Sequence, residues 1–111
     1  MAAKYELKSA KGRKFIFNLK APNGKVVLTS ETYDTKKAAA KGIEAVKKNA
    51  TNDKPFEEKT TKKGEQYFVL RAANGEPVGR SESYTSAKSL RGGIASVKKN
   101  APGARVDDLT E

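Results

Sequence analysis

The chain has 111 residues, of which 36% are hydrophobic and 32% are charged, and its formal net charge is +10. This length suits a single domain, and the apolar content is too high for a disordered tail. The absence of cysteine excludes disulfides and thiolate metal sites and favours a cytoplasmic location. We also expect no association with membranes, because no segment approaches the roughly 20 apolar residues of a membrane span and the N-terminus lacks the apolar run of a signal peptide.

The first quarter of the chain predicts a three-stranded antiparallel meander. Residues 5–8 alternate between apolar and polar side chains, and residues 15–19 place Phe15, Phe17 and Leu19 on one face. Gly12 lies in the turn between these two strands. The Asn23-Gly24 pair predicts a type I′ hairpin turn that leads into a third strand at residues 26–29.

A helix is predicted next, capped by Thr35 and running from Lys36 to about Asn49. Its apolar stripe should cover the sheet, and Gly42 within that stripe predicts a close approach by a strand or by a symmetry-related helix. The residues of the stripe are Ala39, Ile43, Val46 and Ala50, and those of the solvated face are Lys37, Lys41, Glu44 and Lys48.

The second half of the chain repeats the first without a gap, with residues 72–101 matching residues 21–50. Strands are predicted at residues 56–60, 66–71 and 78–80, followed by a helix capped by Ser86 and a last strand within residues 104–109. Halves of about 50 residues are too small for separate cores, so we predict one domain, 1–111, built of two repeats at about 4–53 and 55–109. The second helix should present Leu90, Gly93, Ile94 and Val97 to the core.

The shared motifs resemble the YegP-like family of small bacterial proteins, and the resemblance covers essentially the whole chain. They are Asn-Gly, Ser-Glu-x-Tyr and Gly-Ile-x-x-Val-Lys-Lys-Asn-Ala, spaced alike in residues 23–50 and 74–101. The resemblance implies an α+β fold in which two tandem β3-α-β repeats with pseudo-twofold symmetry form a single antiparallel sheet with two helices packed on one face.

The resemblance also implies that each repeat gives its last strand to the other repeat. Residues 52–55 leave little length for that strand in the first repeat, so residues 56–60 are expected to serve both roles. Such a chain would be a monomer that forms its own pseudo-dimer. The family carries no established activity to any residue.

The composition argues against an enzyme. Histidine and cysteine are absent, so the usual general base near neutral pH and the usual strong nucleophile are both missing. Asp107 and Asp108 are adjacent and would point to opposite faces of a strand, which excludes a shared catalytic role. We therefore predict no catalytic residue, no metal site and no cofactor.

Hydroxyl groups near the two helix N-termini suggest an anion site. Ser30 and Thr35 in the first repeat match Ser81 and Ser86 in the second. A helix N-terminus offers unpaired N–H donors and partial positive charge to a phosphate or carboxylate. The alternative interpretation is structural, with Thr35 and Ser86 acting only as helix caps.

Paired lysines close both helices and suggest contacts with a polyanion such as nucleic acid. They are Lys47, Lys48, Lys98 and Lys99. Two alternatives are simpler: cations complement the helix dipole, and a net charge of +10 promotes solubility.

The sequence therefore predicts a non-enzymatic accessory or interaction module of uncharacterised role, with weak electrostatic affinity for nucleic acid or another polyanion. The alternative is a module that binds a partner protein through its sheet face or an edge strand.

Overall fold

The computed structural model describes residues 3–51, 56–72 and 74–110. It is an α+β fold with a seven-stranded mixed sheet of order β4-β5-β6-β3-β2-β1-β7 and two helices. The elements are β1 (Lys4–Ala10), β2 (Lys14–Lys20), β3 (Val26–Ser30), α1 (Lys36–Asn49), β4 (Phe56–Thr60), β5 (Gln66–Arg71), β6 (Pro77–Arg80), α2 (Ala87–Asn100), a 3₁₀ turn (Ala101–Gly103) and β7 (Arg105–Asp108).

The two meanders join at the centre of the sheet, where β3 and β6 are antiparallel neighbours. Thr29 pairs with Arg80 and Ser30 pairs with Gly79. β6 begins at Pro77, a position where the missing backbone N–H interrupts no ladder. This junction lets both halves share one sheet and one continuous apolar core.

The prediction of a purely antiparallel sheet is wrong, because β7 lies parallel to β1. Lys4 pairs with Arg105 and Leu7 pairs with Asp108. The reason is topological: the chain leaves β6, passes through α2 and the 3₁₀ turn, and returns to the far edge in the direction of β1. The second repeat thus gives its last strand to the first. Residues 52–55, where the first repeat would form the matching strand, lie outside the described residues.

Both helices pack on the same face of the sheet. From α1 the residues Ala39, Ile43 and Val46 are buried, and from α2 Leu90 and Val97 are buried. They join one core with the inward-facing side chains of the strands, because alternate strand residues share a face. These strand residues are Tyr5, Leu7, Phe17, Leu19, Leu28, Phe68 and Leu70. Ile94, predicted to be equally buried, is only half-buried.

The closest group at both helical glycines is a tyrosine ring. At Gly42 the ring of Phe17 from β2 is also close, 3.0 Å from where a Cβ would lie, so a strand contributes there as predicted. A Cβ atom at Gly42 would lie 2.7 Å from Cζ of Tyr33, and one at Gly93 would lie 2.7 Å from Cζ of Tyr84. Each tyrosine reaches this position because its backbone pairs with a residue near the start of a strand, Phe15 of β2 or Gln66 of β5. The helix can lie against the ring only where it has no side chain.

The turn at Asn23 and Gly24 is not type I′. Gly24 has a φ of 84°, but Asn23 does not share the positive φ that a type I′ turn needs at both central residues. Pro22 is compatible with this turn but does not dictate it, because the Gly75 N–H donates to the Ala72 carbonyl at 2.9 Å in the equivalent loop of the second repeat, which has no proline. The loop closes with hydrogen bonds from the Gly24 N–H to the Ala21 carbonyl and from the Ala21 N–H to the Lys25 carbonyl, both 2.9 Å.

Candidate functional site

The hydroxyls predicted to form an anion site have close partners within the protein. Thr35 Oγ1 accepts a hydrogen bond of 3.0 Å from the Ala38 N–H, and Ser86 Oγ accepts one of 3.1 Å from the Ser89 N–H. Both residues cap their helices in the way the sequence predicts.

The other two hydroxyls, of Ser30 and Ser81, are buried in the sheet. Ser30 Oγ accepts from the Phe17 N–H and donates to the Glu31 carbonyl, both at 2.8 Å. Ser81 Oγ makes the equivalent bonds to the Phe68 N–H at 2.9 Å and the Glu82 carbonyl at 2.8 Å. These contacts support the structural interpretation of all four hydroxyls, and the anion site stays a prediction.

The four lysines at the helix ends have different surroundings. Lys47 lies over the ring of Tyr5, with its Nζ 5.8 Å from the ring centroid. Lys98 borders a groove beside Phe56, and Lys99 lies beside Pro22. Lys48 is exposed. Contacts between these four lysines and a polyanion therefore stay a prediction. The distribution of charge over the whole protein bears on that prediction more strongly.

Most of the positive charge lies in the helical layer. α1 carries five lysines and one glutamate, and α2 carries four cations and no acid, so the two helices hold eight of the net ten positive charges. The exposed members include three that sequence reasoning did not single out as contacts: Lys37, Lys41 and Lys88. Lys37 and Lys41 lie on the face of α1 that the sequence predicts to be solvated, opposite the apolar stripe.

On the opposite face of the sheet several cations are paired with carboxylates, and in the helical layer Lys36 is paired with Asp108. Glu6 Oε1 lies 3.1 Å from Lys20 Nζ and 3.5 Å from Lys8 Nζ, and Glu6 Oε2 lies 3.4 Å from Lys4 Nζ. The hydrogen bond from Lys20, together with those from Lys4 and Lys8, lowers the pKa of Glu6 below its usual value. Three lysines thus share one carboxylate, which offsets part of the positive charge on this face.

Glu57 and Asp107 continue the same pattern at the two ends of that face. Glu57 lies 2.9 Å from Arg71 Nη2 and 3.3 Å from Lys59 Nζ, and hydrogen bonds from Arg71 and Lys59 lower its pKa. Asp107 lies 3.2 Å from Arg105 Nε.

A groove of about 370 Å³ lies between β4 and α2, and sequence reasoning missed it. It is lined by Phe56, Glu58, Arg91, Ile94, Ala95 and Lys98. No sequence signal indicated this groove, because Ile94 matches the buried Ile43 and has the helical spacing of a core residue.

In residues 3–51, 56–72 and 74–110 no three acidic side chains are grouped so that they could hold a metal ion. Neither helix in that part of the chain is long and apolar enough to cross a membrane.

These features define a small tandem-repeat protein with an α+β fold and a basic helical layer. The chain belongs to the family described as Domain of unknown function (DUF1508), whose profile matches it twice, at residues 10–57 and 62–108. The resemblance to YegP-like proteins is thereby confirmed, as is the presence of two copies of the family's repeat.

Relatives and solved structures match this chain over nearly its full length. A UPF0339 protein of Pasteurella multocida is 49% identical over 96% of this chain and 93% of its own, and one of Pseudomonas aeruginosa is 47% identical over 97% and 98%. The solution NMR structure of the protein of unknown function YegP from E. coli has a TM-score of 0.94 at 44% identity and covers 99% of this chain and 95% of its own. That of a UPF0339 protein from Shewanella oneidensis has a TM-score of 0.93 at 39% identity, with coverage of 99% and 93%.

Proposed function

We propose that the protein is a non-enzymatic, monomeric cytoplasmic module that binds the phosphate backbone of nucleic acid through its helical layer. The observation that carries the proposal is the placement of eight of the net ten positive charges on α1 and α2. Cations concentrated on one side of a small protein attract a polyanion and release its counterions, without recognising a base sequence.

The preferred form of nucleic acid is a duplex. All eight aromatic side chains of the protein are buried or half-buried, and five of them, Tyr5, Phe17, Tyr33, Phe56 and Phe68, take part in ring contacts within the fold or lie against a cation. Proteins that bind single strands use exposed aromatic rings on which bases stack. A surface of lysines without such rings suits the regular phosphate rows of a double helix.

The test is a fluorescence anisotropy titration against labelled duplex and single-stranded DNA and RNA at about 50 and 200 mM salt. One variant replaces four exposed helical lysines with glutamine: Lys41, Lys48, Lys88 and Lys99. Its control replaces four exposed lysines in the hairpin turns: Lys11, Lys25, Lys62 and Lys63. The two variants have the same net charge and differ only in where the charge was removed.

We expect the helical variant to bind duplex at least about tenfold more weakly than the turn variant at low salt. We also expect the slope of log K against log salt to fall by up to about 0.9 for each lost phosphate contact. Equal losses in the two variants would mean that net charge alone attracts the duplex, which contradicts a defined surface. No binding by the unmodified protein at about 50 mM salt would make the charge a solubility feature.

A further inference from the structure

We propose that a pocket on the sheet face opposite the helices binds a small zwitterion of the α-amino acid class. The carboxylate of the ligand pairs with Arg80, its ammonium group pairs with Glu82, and its apolar side chain lies against the ring of Tyr67. The pocket lies outside the helical layer, so this proposal does not rest on the binding of nucleic acid.

The pocket lies over β5 and β6 and has a volume of about 410 Å³. Small-molecule sites usually enclose roughly 300–1,000 Å³, so an amino acid or a dipeptide fits this space. The lining residues are Thr61, Tyr67, Arg80, Ser81, Glu82 and Ser83.

The alternation of the strands places the two main side chains of the pocket on one face. Phe68 belongs to the core beneath the helices, so its neighbours Tyr67 and Val69 point to the opposite face. Arg80 is opposite Val69 in the antiparallel ladder and therefore shares that face. The cation and the aromatic ring thus reach the pocket from adjacent strands.

Arg80 differs from the other cations of the sheet, because it takes part in no ion pair within the part of the chain that the structure describes. The strands carry eight lysines and arginines, and each of the other seven is paired with a carboxylate. Those seven are Lys4, Lys8, Lys14, Lys20, Lys59, Arg71 and Arg105. A guanidinium without a carboxylate in the fold can hold the carboxylate of a ligand through two parallel hydrogen bonds.

The first repeat has a self-contained polar pair at the place of Arg80. Thr29 stands at that position, and its Oγ1 accepts a hydrogen bond of 2.9 Å from Nδ2 of Asn18, its ladder partner. Arg80 is instead opposite the apolar side chain of Val69, which offers no acceptor. The second repeat has therefore replaced a satisfied pair with a cation that borders a cavity.

Tyr67 provides an aromatic wall where the first repeat has Ile16. The side chain is half-buried, and its hydroxyl makes no hydrogen bond to another of the described residues. A tyrosine ring combines a large apolar face with a polar tip, so it suits a ligand that carries both an apolar side chain and charged groups.

Glu82 favours a zwitterion over a simple anion. It lines the same pocket as Arg80, and no ion pair joins the two residues. A phosphate beside Arg80 would also meet the negative charge of Glu82, whereas a zwitterion presents an opposite charge to each residue. Glu82 has a counterpart in Glu31 of the first repeat, so the two copies differ in the cation and the ring.

The experiment is a titration of the full chain monitored by amide chemical shifts in NMR spectra. The probes are L-phenylalanine and the dipeptide glycyl-L-phenylalanine. N-acetyl-L-phenylalanine lacks the ammonium group, and L-phenylalaninamide lacks the carboxylate.

The variants use the first repeat as a guide. Arg80→Thr and Tyr67→Ile introduce the residue types found at the matching positions, where the same ladder folds with them. Arg105→Thr is the matched control, because it removes the same charge from β7, outside the pocket.

We expect saturable shifts on β5 and β6, with a Kd of about 1 mM for at least one of the two zwitterions. Both analogues should bind at least about fivefold more weakly. Arg80→Thr should weaken binding at least about tenfold and Tyr67→Ile about threefold, whereas Arg105→Thr should change it less than about twofold. Tighter binding of the dipeptide would support a peptide as the source of the ligand, and tighter binding of phenylalanine would support a free amino acid.

Three results would overturn the proposal. Absence of saturation up to about 10 mM would show that the pocket takes no such ligand. Equal binding of N-acetyl-L-phenylalanine would indicate a simple anion site, and equal binding by Arg80→Thr and Arg105→Thr would show that Arg80 does not hold the carboxylate. Failure of duplex binding leaves this proposal intact, because the helical lysines do not line the pocket.

Discussion

Strands β1 and β4 come from matching parts of the repeat, and they have different environments. On β1, Tyr5 is fully buried and Leu7 is 3% exposed, and β7 lies beside them. At the β4 edge Phe56 is half-buried and Glu58 is exposed. β1 lies between two strands, whereas β4, as the last described strand on its side, has β5 as its neighbour.

The difference shows how a duplicated sequence diverges where its copies meet different neighbours. The residue at the covered edge is leucine and its counterpart at the accessible edge is glutamate, as expected if burial decides which side chain each position carries. Positions with the same environment in both copies, such as Ser30 and Ser81, keep the same residue and the same hydrogen bonds.

The largest effect is expected from exchanging the residues of the two edges. Leu7→Glu removes buried apolar surface and places a carboxylate under β7, so it should lower the free energy of unfolding by about 3 kcal/mol or more. Glu58→Leu should change it by less than about 0.5 kcal/mol, because that side chain stays exposed. Urea denaturation measures both. Similar changes in the two variants would show that the edges are equivalent in solution.

A smaller effect is expected at the helical glycines. Gly42→Ala and Gly93→Ala push a methyl group into the ring of Tyr33 or Tyr84 and should each destabilise by about 1–2 kcal/mol, net of the better helix propensity of alanine.

Gly92 is the control for these variants, since a Cβ there meets nothing within 4 Å. Gly92→Ala should stabilise the protein by up to about 1 kcal/mol. The stability changes caused by alanine at Gly92 and at Gly93 should therefore have opposite signs. The same sign at Gly92 and Gly93 in thermal or urea unfolding would contradict the tyrosine contact.

Substitutions of the aromatic residues at the starts of β1 and β4 should differ by about 1 kcal/mol in their effect on the free energy of unfolding. Tyr5→Phe removes the hydroxyl that donates to the Ala101 carbonyl and so loses one buried hydrogen bond, at a cost of about 1 kcal/mol. Phe56→Tyr at the accessible edge should change stability by less than about 0.5 kcal/mol. Urea midpoints compare the two, and an unchanged midpoint for Tyr5→Phe would show that the hydrogen bond contributes nothing.

The smallest effect concerns the acid side of the stability profile. The lysine contacts lower the pKa of Glu6 in the folded protein, so its contribution is present above the unfolded pKa of about 4.3 and is lost as the pH falls through the folded pKa. Glu6→Gln should reduce the loss of stability below about pH 4.3, by less than about 1 kcal/mol. Glu57→Gln, at an exposed position, should change this profile less. Denaturation between about pH 3 and 7 compares them, and identical profiles would contradict the difference.

Local signals in the sequence predicted the elements well. The predicted helix from Lys36 to Asn49 and its Thr35 cap are confirmed, because capping and the apolar stripe depend on residues within a few positions of each other. The turn type at Asn23 was predicted wrongly because the Asn-Gly pair was placed at the two central positions, whereas the hydrogen bond from the Gly24 N–H to the Ala21 carbonyl makes Gly24 the last residue of the turn. Of the candidate site, the sequence identified the lysines at the helix ends but neither the groove nor the concentration of charge on one layer.

The sequence alone determined the two repeats, the order of strands and helices and the net charge, since each depends on composition or on neighbours along the chain. Tertiary structure decided the rest: the parallel placement of β7, the tyrosine rings against Gly42 and Gly93, and the half-burial of Ile94. These depend on which distant segments meet, and a repeat that presents the same residues twice cannot show which copy receives a neighbouring strand. The groove lies beside β4 and not beside β1, because β7 covers β1 whereas no described strand lies on the outer side of β4.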